Sequence, residues 1–142
     1  MVELTFVMVK PEAVQQGLVG KIITRFEDKY FKLLALKVVN VSQKQGSDLY
    51  KQHQGKPFYD NLVEYVQSGP VVAMVLEREN AVEMVRKMIG NTDPLKADPG
   101  TIRGDFGHSI DHNVIHAADS PENADRELKI FFMPEEIITT TP

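Results

Sequence analysis

The sequence contains no cysteine among its 142 residues. This absence excludes a disulfide framework, a zinc site built from thiolates and a cysteine nucleophile. The side chains that remain best suited to nucleophilic or metal chemistry are the imidazoles of histidine. There are four of them, at His53, His108, His112 and His116.

An excess of positive charge and a long apolar run are also missing. Sixteen basic and twenty acidic residues give a formal net charge of −4, so any polyanion must bind to a local cluster of cations rather than to the whole surface. No apolar run approaches the roughly 20 residues that span a bilayer, and residues 1–9 lack the basic start of a signal peptide. We therefore expect a cytoplasmic protein with no membrane partner and no requirement for nucleic acid.

Apolar periodicity predicts a mixed α/β (α+β) chain. The length and the 42% hydrophobic content suit one core, so we expect a single domain over residues 1–142. Apolar runs predict strands, and amphipathic spacing predicts longer helices between them. The predicted strands cover 4–9, 33–41, 71–76 and 113–117, and the helices 17–30, 59–66, 80–90 and 120–131. With the small extra helices set aside, this β-α-β-β-α-β order predicts a ferredoxin-like antiparallel sheet covered by helices.

Local signals mark the starts of three helices and one long loop. Ser42 and Ser120 are predicted N-caps, the second with a proline at the first helical position. Asn80 together with Glu83 resembles a capping box. The segment 91–106 contains three Asp, two Pro and two Gly without a hydrophobic period, which predicts a loop whose length favours function over simple linkage.

Two glycine-containing segments are candidates for phosphate binding. Residues 17–21 resemble a phosphate-binding loop, but they lack the four residues between the glycines and the Ser or Thr after the lysine, so we reject that interpretation. Residues 99–105 combine a turn, flexible backbone and Arg103, which lets a guanidinium and amide groups approach a phosphate. An ordinary surface turn with a solvated arginine is the alternative. Arg86 and Thr92 are candidates to join this cluster.

His116 is the histidine with the most site-like surroundings. It lies in a short apolar strand, where a core histidine is the alternative interpretation. However, Asn113 precedes it by three residues and Asp119 follows by three, so polar groups crowd around one imidazole at a strand end, as expected at a functional site. The other three histidines lie in polar stretches without metal-ligand spacing, and we expect them to be exposed to solvent.

Seven short motifs complete the pattern. They are Lys10-Pro11 and the segments 17–20, 56–59, 68–71, 90–94, 99–105 and 113–120. Their order and register over nearly the whole chain resemble those of the nucleoside diphosphate kinases. No single motif is decisive, and the identification depends on all seven together.

The resemblance implies an enzyme that transfers the γ-phosphate of a nucleoside triphosphate to a nucleoside diphosphate. It implies a ping-pong mechanism through a phosphohistidine, with broad tolerance of base and sugar. By similarity to the family, His116 is the nucleophile and Glu127 holds its other ring nitrogen. Tyr50 matches a tyrosine beside the nucleophile, with plain packing as the alternative role.

The resemblance also implies the residues that bind the nucleotide. The residues that match phosphate ligands are Lys10, Arg86, Thr92 and Arg103. Lys10 and Asn113 match the pair that bonds the ribose hydroxyls, and Phe58 and Ile110 match the apolar slot for the base. Cationic and donor groups of this kind are needed as charge shifts during phosphoryl transfer.

The family further implies Mg²⁺ and assembly into oligomers. Mg²⁺ is expected mainly on the nucleotide phosphates and water, with Asp119 able to hold it through a water. The expected partners are nucleoside di- and triphosphates and further copies of the chain, with a hexamer favoured over a tetramer.

The sequence departs from the family pattern in two places. Ala117-Ala118 stands where the family commonly has Gly-Ser, and Asp111-His112 where it commonly has Gly-Arg. Loss of the serine hydroxyl removes a hydrogen bond near Glu127 and His116, worth about 0.5 to 1.5 kcal/mol, so we expect an effect on rate rather than on the reaction.

Two rival functions fit the same fold. One is a non-catalytic, nucleotide-binding regulatory module, and the intact stretch 113–120 argues against it. The other is an RNA-binding module, but no aromatic-rich RNP-like strand is present and the net charge is negative.

Overall fold

The computed structural model describes residues 2–139. Within them, four strands form one antiparallel sheet in the order β2-β3-β1-β4. The strands are β1 (Val2–Val9), β2 (Lys32–Val39), β3 (Val71–Glu79) and β4 (Ile115–Ala117). This strand order confirms the predicted ferredoxin-like sheet.

Seven α-helices accompany the sheet in the described part of the chain. They are α1 (Pro11–Gln15), α2 (Val19–Asp28), α3 (Gln43–Leu49), α4 (Tyr59–Val66), α5 (Ala81–Ile89), α6 (Ile102–Phe106) and α7 (Pro121–Phe131). Helix α2 links β1 to β2, and α5 lies between β3 and β4, which gives the predicted βαββαβ order. Two 3₁₀ turns, Lys51–His53 and Pro134–Glu136, follow α3 and α7.

The core lies on both faces of the sheet because successive side chains of a strand point to opposite sides. Val7 and Val9 of β1 pack in one apolar cluster with residues of α2 and α5. Phe6 and Met8 pack in a second cluster with residues of α3, α4 and α7, where the rings of Phe6 and Phe131 stack with centroids 5.3 Å apart. Burial on both faces explains why residues 6–9 of β1 are all apolar.

Two of the three predicted helix caps are confirmed, and one is wrong. Ser42 and Ser120 each accept a backbone N–H of their helix through the side-chain hydroxyl. Asn80 makes no side-chain cap bond and has a left-handed backbone with φ of 53°. Instead, a carboxylate oxygen of Glu3 on β1 accepts the N–H of Val82 at 2.9 Å, so a tertiary contact does what the local pattern predicted of Asn80.

The loop predicted over 91–106 is wrong at its end, because residues 102–106 form helix α6. Its N-cap is Thr101, whose hydroxyl accepts the N–H of Gly104 at 3.0 Å. Helix α1, which begins with Pro11 at its first position, was also not predicted. Strand β4 begins at Ile115 rather than 113, because Val114 has a φ of +80° and cannot continue the ladder.

Candidate active site

A pocket of about 480 Å³ opens beside the end of β1 and the short strand β4. Its lining includes Lys10, which follows β1, together with side chains of β4, of helices α4, α5, α6 and α7, and of the segment that follows α3. All ten predicted site residues line it, together with Asp119. They are Lys10, Tyr50, Phe58, Arg86, Thr92, Arg103, Ile110, Asn113, His116 and Glu127.

His116 lies on β4, which pairs with β1, so that His116 stands opposite Met8. Its Nε2 lies 2.7 Å from Oε1 of Glu127 on α7, and the two side chains are 14% and 1% exposed. A carboxylate only accepts hydrogen bonds, so Nε2 carries the ring proton and Nδ1 keeps its lone pair. The pair therefore fixes both the orientation and the tautomer of the imidazole.

Aromatic rings pack around this imidazole. The ring of Tyr50 meets it edge-on, with centroids 5.7 Å apart and an interplanar angle of 88°, and Phe6 lies at 6.1 Å. Burial, and after it the charge of Glu127, raises the pKa of the Tyr50 phenol. Tyr50 is therefore a neutral phenol at physiological pH and cannot act there as a phenolate base.

Lys10 and Asn113 form a hydrogen-bonded chain along one wall of the pocket. Nζ of Lys10 donates to Oδ1 of Asn113 at 2.7 Å, and Nδ2 of Asn113 donates to the carbonyl of Thr92 at 2.9 Å. Both side chains are buried. Burial, followed by the charge of Arg103, lowers the pKa of Lys10 to about 8, so Lys10 is still a cation at pH 7.

Arg103 is buried rather than solvated, which contradicts the surface-turn alternative. Its guanidinium donates to three backbone carbonyls, those of Gly90, Asn113 and Ile115, at 3.2, 3.3 and 2.7 Å. Burial, followed by the charge of Arg86, lowers the pKa of Arg103 to about 10. Arg103 thus braces the backbone beside His116 and still contributes a positive charge to the pocket.

Strained backbone adjoins the site at Val114, which joins Asn113 to β4. A φ of +80° is rare for a β-branched residue and costs on the order of 1–3 kcal/mol. A carboxylate oxygen of Glu12 accepts the N–H of Val114 at 2.9 Å. Sequence reasoning missed Glu12, because nothing local to either residue signals a contact across about 100 positions.

Comparison with known proteins fits this geometry. The sequence model of the family described as nucleoside diphosphate kinase matches residues 3–137. The chain belongs to the nucleoside diphosphate kinase family. It is 55% identical over 136 residues to a nucleoside diphosphate kinase of Ignicoccus hospitalis, an alignment that covers 96% of this chain and 92% of that protein.

Solved structures of the family have the same fold. The nucleoside diphosphate kinase of Aquifex aeolicus superposes with a TM-score of 0.94 at 42% identity, over 97% of this chain and all of that one. The nucleoside diphosphate kinase of Halobacterium salinarum, solved in complex with CDP, gives 0.95 at 42% identity, over all of this chain and 95% of that one. The chain is accordingly a kinase that transfers phosphate between nucleotides, and the catalytic function is favoured over the regulatory one.

His53 corrects the prediction that three histidines are exposed. His108 and His112 are exposed, but His53 is half-buried and lines the pocket. Its ring lies 5.2 Å from that of Phe58, and burial, followed by the charge of Lys56, lowers its pKa. A sequence signal for this was available: His53 follows Tyr50 by three residues, and one helical turn places two such side chains on the same face.

The pocket lining includes exposed apolar side chains and exposed carboxylates. Phe58 and Ile110 are 46% and 57% exposed. Asp119 accepts a hydrogen bond from the side chain of Asn123, which is the main cause that lowers its pKa, so it is ionised at neutral pH. Within residues 2–139 no group of three or more His, Asp or Glu side chains is placed to hold a metal ion.

No helix within residues 2–139 combines the length and the apolar character that a membrane crossing requires.

Proposed function

We propose that His116 carries the phosphate during transfer from a nucleoside triphosphate to a nucleoside diphosphate, by a ping-pong mechanism. The observation that carries this proposal is the bond of Nε2 to the buried carboxylate of Glu127 at 2.7 Å. It leaves Nδ1 as the nitrogen with a lone pair, in a pocket that also contains Lys10, Arg86 and Arg103. An oriented neutral imidazole is a competent nucleophile near neutral pH.

The first half-reaction loads the histidine. Nδ1 of His116 attacks the γ-phosphorus, the bond from that phosphorus to the β,γ-bridging oxygen breaks, and the electron pair leaves with the nucleoside diphosphate. The imidazole gains positive charge, which the carboxylate of Glu127 stabilises while Nε2 keeps its proton. In the second half-reaction, a terminal oxygen of the acceptor diphosphate attacks the phosphorus, the P–N bond breaks and its electron pair returns to Nδ1.

The cations of the pocket stabilise the charge that spreads over the transferring phosphoryl group. Lys10, Arg86 and Arg103 serve this role, and the hydroxyl of Thr92 adds a donor. Arg103 uses one hydrogen on each of its three nitrogens for backbone carbonyls, so two N–H groups are free for a phosphate. Lys10 and Asn113, which already bond each other, bind the ribose hydroxyls.

Phe58 and Ile110 hold the base by apolar contact, which reads no hydrogen-bonding edge and tolerates every base. Their exposure at the mouth of the pocket supports this role. The CDP complex of the relative from Halobacterium salinarum further supports a site that accepts pyrimidine nucleotides.

Mg²⁺ fits this site as a companion of the nucleotide. The ion would neutralise charge on the nucleotide phosphates, which, with water, supply most of its ligands. Asp119, ionised and at the pocket, supports a contact to the ion through water. In this proposal the protein contributes cations and one outer carboxylate rather than a cage of its own.

Assembly and location complete the proposal. We infer a single domain that forms a homo-oligomer in the cytoplasm, with a hexamer favoured over a tetramer. The resemblance to a family whose members are commonly hexamers supports this choice, and light scattering of the purified protein at several concentrations tests it.

The test of the mechanism is covalent labelling. After incubation with ATP labelled in the γ-phosphate, the protein should carry label that is lost in acid and retained in base. This is the behaviour of phosphohistidine. His116→Ala should carry none, whereas His108→Ala, which removes an exposed histidine that does not line the pocket, should be labelled normally. Labelled His116→Ala protein would overturn the assignment of the nucleophile.

Steady-state kinetics separate this enzyme from its rivals. Parallel double-reciprocal plots at several acceptor concentrations are expected for a covalent intermediate. Intersecting lines would indicate direct transfer in a ternary complex, and absence of transfer with retained nucleotide binding would favour the regulatory module.

A further inference from the structure

The side chain of Glu127 is almost fully buried, with 1% of its surface exposed. A buried charge needs partners for both of its oxygens. Oε1 faces Nε2 of His116, and Oε2 lies 3.5 Å from Nη2 of Arg126, the preceding residue on α7. Arg126 is thus the cation that neutralises the carboxylate held against the nucleophile.

Arg126 also bonds to the backbone of α3. Its Nη1 donates to the carbonyl of Asp48 at 2.6 Å, and its Nη2 donates to the carbonyl of Leu49 at 3.5 Å. These carbonyls belong to the last turn of α3, where backbone acceptors lack partners within the helix and a cation is favourable. The next residue after α3 is Tyr50, which packs edge-on against His116.

Arg126 therefore bonds two groups next to His116: the carboxylate of Glu127 on α7 and the last turn of α3, which precedes Tyr50. Residue 118 cannot take over this contact, because it is a buried alanine packed with Val82 and Ala124 and has no hydroxyl. In this chain the guanidinium is the donor for the second oxygen of Glu127.

We propose that Arg126 is a positioning residue for phosphoryl transfer, which holds Oε2 of Glu127 so that Oε1 stays on Nε2 of His116 and Nδ1 keeps its lone pair. The inference rests on the proposed role of His116 as the phosphate carrier. Arg126 touches neither the nucleotide site nor the imidazole, and it acts only through Glu127 and the end of α3.

The charge of Arg126 also sets how strongly the carboxylate attracts a second proton to the ring. With the guanidinium removed, the negative charge of Glu127 is less compensated and favours the imidazolium, which has no lone pair for attack. The substitution itself changes none of the other titratable and charged groups that face His116. They are Lys10, Tyr50, His53, Arg86, Arg103 and Asp119.

The test compares Arg126→Met with Arg126→Lys and a matched control. Lys129→Met removes a cation from the same helix, one that is exposed and paired with Asp125 at 2.9 Å rather than with Glu127. The rate of phosphorylation by labelled ATP is measured in single turnovers by rapid quench from about pH 5.5 to about pH 8.5, the range over which histidine titrates. Thermal melting checks that each variant is folded.

Arg126→Met is expected to lower the maximal rate about three- to tenfold, a modest loss because its guanidinium is partly solvated. The apparent Kd for ATP should stay within about twofold, and the acid limb of the pH–rate profile should move to higher pH. Arg126→Lys should restore most of both losses, and Lys129→Met should match the wild type. A merely structural role would lower the active fraction without moving the acid limb.

The second measurement does not need activity. Nitrogen-15 NMR of the histidine ring should show the Nε2–H tautomer of His116 in the wild type and a mixture of tautomers or imidazolium in Arg126→Met at the same pH. An unchanged rate, acid limb and tautomer in Arg126→Met would overturn the inference. If that variant fails to fold, Arg126→Gln, which keeps a donor for the α3 carbonyls without the charge, is judged by the same results.

The two proposals fail in different ways. Labelled His116→Ala protein would overturn the proposed function, whereas the tautomer measurement would still test whether Arg126 holds the Glu127–His116 pair. Unlabelled His116→Ala together with an Arg126→Met variant that behaves as wild type would overturn only the role of Arg126.

Discussion

The charge of Lys10 weakens the fold that carries it, and Lys10→Met should make the protein more stable while it impairs function. The side chain is 6% exposed, and burial lowers its pKa from 10.5 to about 8. At 1.36 kcal/mol per pH unit, this shift corresponds to a cost of about 3 kcal/mol at pH 7. Methionine fills nearly the same space without the charge.

Part of that gain is lost again, because Asn113 loses the donor that meets its Oδ1 at 2.7 Å. A buried acceptor left without a partner costs about 1–2 kcal/mol. The net expectation is a variant more stable than the wild type by about 1–2 kcal/mol at pH 7. Nucleotide binding should weaken in the same variant, because the pocket has lost a cation.

The pH dependence gives the sharper test. Below pH 8 the full cost of the charged lysine is present. Between about pH 8 and pH 10.5 the folded protein has released this proton while the unfolded chain still holds it, so the stability of the wild type rises relative to the variant. Between pH 7 and about pH 9.5 the wild type should gain about 2 kcal/mol relative to the variant, so the advantage of the variant should vanish or reverse.

Urea unfolding followed by circular dichroism measures these free energies, at one protein concentration for every variant because any association of copies would add to stability. Lys21→Met, at an exposed position of α2, serves as the control and should differ little from the wild type at any pH. A Lys10→Met variant less stable than the wild type at pH 7, or a difference that is constant with pH, would refute the reasoning.

Two further predictions concern backbone and substrate. Gly17 and Gly90 both have positive φ, but a side chain at Gly90 would lie 2.6 Å from the hydroxyl of Thr101, whereas Gly17 has open space. Gly17→Ala should therefore lower the free energy of unfolding in urea by about 1–2 kcal/mol, and Gly90→Ala should lower it clearly more. Gly90→Ala should also weaken ADP binding, because the carbonyl of Gly90 accepts a hydrogen bond from Arg103. Equal losses of stability in the two variants would contradict this. For acceptors, kcat/KM for ADP, GDP, CDP, UDP and dTDP from one phosphorylated stock should favour purines modestly, and a spread beyond about a thousandfold would show that buried polar groups read the base edge.

The sequence predicted those elements of the fold in which burial gives the apolar residues a regular spacing. Over residues 6–9, β1 is buried on both faces and apolar, and α2 and α5 each bury one side, so hydrophobic spacing identified them. The features that sequence reasoning missed depend on contacts across the fold. Glu3 caps α5 from a position 79 residues away, and no pattern around Asn80 reveals that its own side chain is not needed.

The site divides in the same way. His116, with polar residues three positions before and after it, stood out from its local sequence. Glu127 did not, because it sits on an amphipathic helix where a carboxylate usually faces solvent, and only the resemblance to a family indicated it. Helix α7 packs on the sheet chiefly against β1, and this places Glu127 against an imidazole 11 residues earlier.

The pocket places three cations, Lys10, Arg86 and Arg103, in one lining with three carboxylates, those of Asp111, Asp119 and Glu127. The net charge of the chain is −4, yet Lys10 and Arg103 are both buried and both contact Asn113. Burial, followed by the charge of a neighbouring cation, lowers the pKa of each. In the proposed mechanism a nucleotide phosphate brings negative charge close to both groups, which favours their protonated forms and offsets the cost of burying them. Because charge spreads over the phosphoryl oxygens during transfer, the same preorganised cations would then stabilise the transition state.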